Sequence, residues 1–192
     1  MSLHLTLLCH AATAATRAAA FPADAPLDPT ALRKLAARPV RLGRADVCWT
    51  SPALCARQTA EAMGLPATVE PALRECDYAA WSGRTLDDLQ AEQPTAVMRW
   101  LTDPDAAPHG GESVTALLDR AGRWLDGLEG STGRAVAVTH PAMLRAVIVH
   151  ALSAPPAAFW RITTAPLSVA VLQGRPARWT LVSLGQTGQD AG

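Results

Sequence analysis

Leu3-His4-Leu5-Thr6-Leu7-Leu8 runs directly into Cys9-His10. The Leu-rich alternation over residues 3–8 reads as a buried strand that ends at Cys9-His10. The continuous apolar run Ala135-Val136-Ala137-Val138-Thr139 makes a second buried strand, and His140-Pro141 follows it where a helix begins. A third, shorter strand over Asp46 to Thr50 ends at Ser51-Pro52. Three predicted strands therefore finish on polar or reactive side chains.

Helical patterns fill the spaces between them. Asp28-Pro29 reads as an N-cap with proline at the first helical position, opening a helix to about Ala37. Ser51-Pro52 carries the same signature, with a helix to about Met63 and Gly64 as its stop. Thr68 to Glu70 is a further short strand, and helical pieces are expected at Leu86 to Ala91 and Pro94 to Leu101. Glu112 to Leu128 places Val114, Leu117, Leu118, Ala121, Trp124, Leu125 and Leu128 on one apolar stripe, which is packing surface. The helix after His140 reaches Leu152, and strands over Ser168 to Leu172 and Trp179 to Leu184 complete the pattern. The stretch from Ala11 to Pro29 reads as a loop, and the last few residues as a disordered tail. Strands alternating with helices imply an α/β fold: a single domain over residues 1–192, with a mostly parallel sheet sandwiched between helical layers. In such folds chemistry gathers beyond the carboxyl ends of the strands.

Composition narrows the function classes. The 192 residues are 49% hydrophobic and 18% charged, which excludes a disordered or fibrous chain. Seventeen basic residues balance seventeen acidic ones, so neither nucleic acid nor a membrane surface is an expected partner. Lys34 is the one lysine; this bias toward arginine, with abundant Ala and Pro, reflects coding composition and not function. Cys9, Cys48, Cys55 and Cys76 show no CxxC spacing, which favours free thiols in a reducing compartment. Met1 to Ala20 is apolar but has no basic residue before its apolar run, and His10 interrupts it, unlike a signal peptide. No run approaches the length of a membrane span. A cytoplasmic location is expected.

Two imidazoles at the ends of two buried strands could meet if the strands are neighbours, which pattern alone does not decide, and could then perform phosphoryl chemistry. One neutral ring attacks phosphorus and carries the group as a phosphohistidine; the other stabilises the transferring oxygens. A proton donor for the leaving oxygen is also required, and Glu75 or Asp77 could supply it. His4 within a strand and His150 late in a helix read as structural, whereas His109 before Gly110-Gly111 is ambiguous. The tryptophans, including Trp81, Trp100 and Trp160, read as core or pocket wall.

The same residues resemble a known family. Cys9-His10-Ala11-Ala12-Thr13 resembles the Arg-His-Gly-x-Thr signature of the histidine phosphatase superfamily, in its phosphoglycerate-mutase-like branch. Ser51-Pro52-Ala53-Leu54-Cys55-Ala56-Arg57-Gln58-Thr59-Ala60 is similar to its Ser-Pro-Leu-x-Arg-Ala-x-Gln-Thr-Ala motif. Leu73 to Gly83, Gly110-Gly111-Glu112-Ser113 and Thr139 to Arg145 resemble three further motifs in the right order. The resemblance implies His10 as nucleophile, Glu75 as acid and then base, and His140 as the partner imidazole. It also implies a structural ion pair for Arg145, with the Gly-Gly-Glu-Ser segment bordering the pocket. A hydrolase is expected in preference to a mutase, since no extended insertion is present to hold a bisphosphorylated sugar acid.

The departures from the family pattern fall on the phosphate clamp. Cys9 and Cys55 stand where the resemblance places phosphate-binding arginines, Thr16 where it places Asn, and Pro141 where it places a Gly whose N–H binds phosphate. A thiol cannot reproduce a guanidinium fork, and proline has no N–H. Thr13, Thr16 and Arg17 are the residues expected to hold phosphate instead, with Arg17 supplying the missing charge. Arg57, two residues past Cys55, is turned about 200° away on a helix. Two functions follow: a weakened or specialised phosphomonoester hydrolase, or an inactive relative that binds a small anion or protein partner. No cofactor is expected, with one alternative: Cys9, His10, Cys55 and His140 are all zinc-ligating types.

Overall fold

The computed structural model describes residues 2–37, 42–128, 132–175 and 178–186. Its strands are β1 (Leu3–Cys9), β2 (Val47–Thr50), β3 (Thr68–Val69), β4 (Gly133–Thr139), β5 (Ser168–Arg175) and β6 (Arg178–Gln186). They form one sheet in the order β3-β2-β4-β1-β5-β6. The three pairings from β3 to β1 are parallel, and those of β1 with β5 and β5 with β6 are antiparallel. The sheet is mixed and mostly parallel, as the alternating pattern implies.

The helices are α1 (Ala14–Arg17), α2 (Pro29–Ala37), α3 (Leu54–Ala62), α4 (Leu86–Glu92), α5 (Pro94–Thr102), α6 (Val114–Asp126) and α7 (Pro141–Ala151). None among the described residues is long and apolar enough to cross a membrane. Period-2 alternation along β1 decides which helices meet which face. Leu3, Leu5, Leu7 and Cys9 point into the larger core with Leu117 and Leu125 of α6 and Leu144 and Ile148 of α7. Leu8 and Val138 point to the opposite face, against Ala56 and Ala60 of α3. Helices therefore cover both faces, and neither can tilt without exposing leucines whose burial contributes about 1.5–3 kcal/mol each.

Local chemistry explains where the elements depart from expectation. The stretch after Ala11 is not all loop: Thr13 and Thr16 form a reciprocal capping box that opens α1. Asp28 caps α2, its Oδ1 accepting from the N–H groups of Thr30 and Ala31. Ser51 does not cap α3. That helix starts three residues later, and the Leu54 N–H donates instead to Asp24 Oδ1, thirty residues upstream in the chain (2.8 Å). α6 begins at Val114 because Ser113 Oγ accepts from the Ala116 N–H. A 3-10 segment over Pro156–Arg161, unmarked by any helical period, packs Phe159 into the core beside α7. The expected disordered tail lies outside the described residues.

Candidate active site

β1 and β4 are parallel neighbours with Cys9 opposite Thr139, so the next residue of each strand is a histidine. The His10 N–H donates to the Thr139 carbonyl (2.9 Å), and the Ser51 N–H at the end of β2 donates to Val138 (2.9 Å). Three strand ends thus meet at one edge of the sheet. The His10 and His140 rings lie 5.1 Å apart between centroids, at 67° to one another. They are 3% and 2% exposed.

Burial holds both rings neutral. Loss of water depresses the His10 imidazole, partly offset by its bond to the Ala11 carbonyl, and depresses His140 further, helped by the repulsion that a second protonated ring at His10 would bring and by the Arg120 charge. His10 Nδ1 lies 2.7 Å from the Ala11 carbonyl oxygen, so Nδ1–H donates and Nε2 keeps its lone pair. His140 Nε2 lies 2.6 Å from Ser51 Oγ, while its Nδ1 is buried without a hydrogen-bond partner. A hydroxyl donates or accepts as it rotates, so Ser51 can leave either a proton or a lone pair on that nitrogen.

Both rings wall a cavity of about 450 Å³. Thr13, Thr16, Cys55 and Pro141 line it as well. So do Glu75, Asp24 and Arg145, the last being the one guanidinium among the described lining residues. Desolvation pushes the Glu75 carboxyl up to about 7, against weaker opposite pulls from the Cys76 N–H, the Arg145 charge and the N–H groups opening α7. A carboxyl half protonated near neutrality can give and take a proton. Burial pushes the Cys55 thiol up to about 12, so it is not a thiolate nucleophile. One nitrogen or sulfur from each of His10, Cys55 and His140 lies within 4.8 Å of the others, a set that could hold a metal ion.

The sequence profile of the histidine phosphatase superfamily (branch 1) matches residues 5–187. The chain belongs to that family. Phosphoserine phosphatase 1 of Hydrogenobacter thermophilus is 26% identical over 161 residues, which are 80% of this histidine phosphatase and 76% of that protein. A bifunctional protein of Mycobacterium tuberculosis is 33% identical over 117 residues, 58% of this chain, and there the chain spans only 32% of the relative's length. Among solved structures, a mycobacterial hydrolase superposes with a TM-score of 0.84 at 23% identity, covering 98% of this chain and 100% of the other. A phosphoserine phosphatase variant of Entamoeba histolytica, solved with phosphoserine, gives 0.84 at 18% identity over 97% and 98% of the two chains. These structural likenesses concern the fold.

Within this histidine phosphatase, several sequence candidates lie away from the cavity. Arg17 pairs with Asp28 (2.9 Å) at the surface and does not line it. Cys9 shares the parity of Leu5 and Leu7, faces the larger core and cannot join the metal-ligating set proposed for it. Asp77 turns outward, its Oδ1 accepting from the Ala79 N–H, and Arg57 is exposed. His109 packs against Tyr78 and Trp81 and does not line the cavity, and Trp81 is core rather than pocket wall. His4 lies low on β1, and His150 faces Asp126 (3.1 Å).

Two expectations for the later motifs are corrected. The Gly110–Ser113 segment does not border the cavity; it braces the loop that does. Glu112 takes both arms of the buried Arg120 guanidinium, at 2.8 Å and 2.7 Å. Arg120 also donates to the Ala72, Arg74 and Glu75 carbonyls, which fixes the approach of Glu75 to the cavity. Arg145 makes no ion pair among the described residues. Its Nε donates to Thr164 Oγ1 (3.1 Å), and its guanidinium carbon sits 5.6 Å from the Phe159 ring centre. The residues that sequence reasoning missed, Ser51 as a partner of His140 and Arg120 as a brace, carry no local signal because their partners are distant in the chain.

Proposed function

We propose that this protein hydrolyses phosphomonoesters of small molecules through a phosphohistidine on His10, at a rate lowered by the loss of its phosphate clamp. The reading rests on one observation: two neutral imidazoles and a carboxyl titrating near neutrality share one cavity. The curated relatives named phosphatases support the same reaction class.

In the first step the His10 Nε2 lone pair attacks phosphorus. The P–O ester bond breaks, and the leaving oxygen takes the Glu75 proton to depart as an alcohol. His140, with the Ser51 hydroxyl donating to Nε2, presents Nδ1–H to a phosphoryl oxygen. In the second step a water oxygen attacks phosphorus while the Glu75 carboxylate takes its proton. The N–P bond breaks, leaving inorganic phosphate and neutral His10.

Thr13 offers its hydroxyl to the phosphate, the Thr16 hydroxyl would first have to leave the Thr13 carbonyl, and Arg145 supplies the one guanidinium among the described lining residues. Arg17 would have to leave Asp28 to contribute. Each missing preorganised donor costs on the order of 10²–10³ in rate. The same loss favours the second reading, an inactive relative that retains small anions. Incubating the protein with a generic phosphomonoester and assaying acid-labile phosphate separates them. Label on wild type that is absent from His10→Ala supports the enzyme; equal turnover by both proteins rejects it.

A further inference from the structure

We propose that His10, Cys55 and His140 form a binding site for a zinc-class divalent cation, and that an ion held there excludes phosphate from the same cavity. The donors are of the right kind. Two imidazole nitrogens and one thiolate sulfur suit Zn²⁺, whereas Mg²⁺ and Ca²⁺ require oxygen ligands. All three residues are buried, and their ligating atoms converge within 4.8 Å. Zinc bonds of about 2.0–2.3 Å require each side chain to close in by roughly half an ångström.

Independent evidence comes from His140 Nδ1, which is buried without a hydrogen-bond partner. When Nε2–H donates to Ser51 Oγ, this nitrogen carries a free lone pair. His10 is prepared in the same way, with Nδ1–H donating to the Ala11 carbonyl and Nε2 left open. A metal-ligating histidine ordinarily gives its second N–H to such a partner, which fixes tautomer and ring orientation. The Thr59 hydroxyl, donating to the Cys55 carbonyl (2.7 Å) and accepting from the Ala11 N–H (3.0 Å), ties the thiol-bearing turn to the loop after His10. Among the described lining residues the cavity carries two carboxyl groups, Glu75 and Asp24, and the single guanidinium of Arg145. Above about pH 7, where Glu75 is ionised, that balance turns toward a cation.

Binding breaks the Cys55 S–H bond, forms an S–Zn bond and releases the proton to solvent, with no change in oxidation state. It also occupies the His10 lone pair that phosphoryl transfer would use. Metal and phosphoryl group are therefore alternatives at one nitrogen.

The test uses the full chain, stripped with a chelator and titrated with Co²⁺ as the probe. One Co²⁺ per chain is expected, with near-ultraviolet thiolate-to-cobalt absorption and the strong visible bands of a four-coordinate ion, all reversed by Zn²⁺. Cys55→Ser removes the near-ultraviolet band and weakens Zn²⁺ by at least about 100-fold, while Ser51→Ala weakens it about 10–100-fold. A missing thiolate band, or one that survives Cys55→Ser, overturns the assignment. X-ray absorption on zinc-loaded wild type, which does not depend on any variant folding, should find one sulfur and two imidazoles; a shell of light atoms alone refutes it. Acid-labile phosphate is measured on metal-free protein, so the hydrolase reading and the metal site can fail separately. Undiminished phosphohistidine with zinc bound would disprove the exclusion.

Discussion

Arg145 is the guanidinium that faces the cavity, held by Thr164 and stacked near Phe159. With cysteine at position 55 and the position 9 side chain in the core, its charge has no second guanidinium among the described lining residues to share the phosphate with. Arg145→Ala should lower kcat/KM for a phosphomonoester by about 10²–10³, measured by steady-state kinetics. Arg145→Lys should restore little of it, because an ammonium lacks the planar fork. Glu75 sets the pH response of the first step. The leaving oxygen needs the protonated carboxyl, so formation of phosphohistidine should fall as pH rises through about 7. The acid limb lies below the ordinary imidazole range, since burial depresses His10. Rapid-quench measurement across this range should show the alkaline limb disappear in Glu75→Gln.

At the scale of elements, the site depends on a loop held from behind. Arg120 projects from α6 into a shell of three carbonyls and the Glu112 carboxylate, with its side chain 8% exposed. Replacing it by methionine leaves the buried Glu112 carboxylate with only the half-exposed Arg74 guanidinium 3.6 Å away, and several carbonyls without donors. Arg120→Met should therefore cost about 3–5 kcal/mol in urea denaturation, far more than a surface pair would. Residual folded protein should also turn over slowly, because Glu75 loses its backbone anchor. Gly111 completes the same brace: a Cβ there would lie 2.1 Å from the Asp77 carbonyl oxygen, so the two loops close only over glycine.

Across the whole molecule, the buried site makes stability depend on pH in two opposed directions. Glu75 has a raised folded-state value, so its proton favours the fold below the unfolded value of 4.5, and that contribution is lost as pH rises toward about 7. His10 and His140 have lowered values, so their contribution is present above 6.5 and is lost as pH falls. Removing one limb exposes the other. Glu75→Gln should melt above wild type near about pH 8, and the gap should shrink toward about pH 5, where Glu75 is protonated in both states. Thermal unfolding at the two pH values measures it. A gap that widens on acidification would contradict the assigned direction. The variant gains stability where it loses its acid, the trade expected when a site holds a group in an unfavourable charge state.

Much of this was readable along the chain. The alternation of β1, the apolar run of β4 and the stripe of α6 are local consequences of period and hydrophobicity, and they specify a helix-covered, mostly parallel sheet. That His10 and His140 terminate strands was equally local. Their meeting was not, because it requires β4 to insert between β2 and β1, a pairing between residues more than a hundred positions apart. The inward turn of Cys9 was present in the parity it shares with Leu5 and Leu7 and was obscured by its motif position. Nothing local showed that Arg17 would be held by Asp28, that Arg145 would face the cavity, or that Asp24 and not Ser51 would cap α3. The chain by itself determined the elements and the reactive groups at their ends, since period and propensity act over a few residues. Only the tertiary structure decided which groups share a cavity and in what charge state, because desolvation and long-range hydrogen bonds arise when distant segments pack.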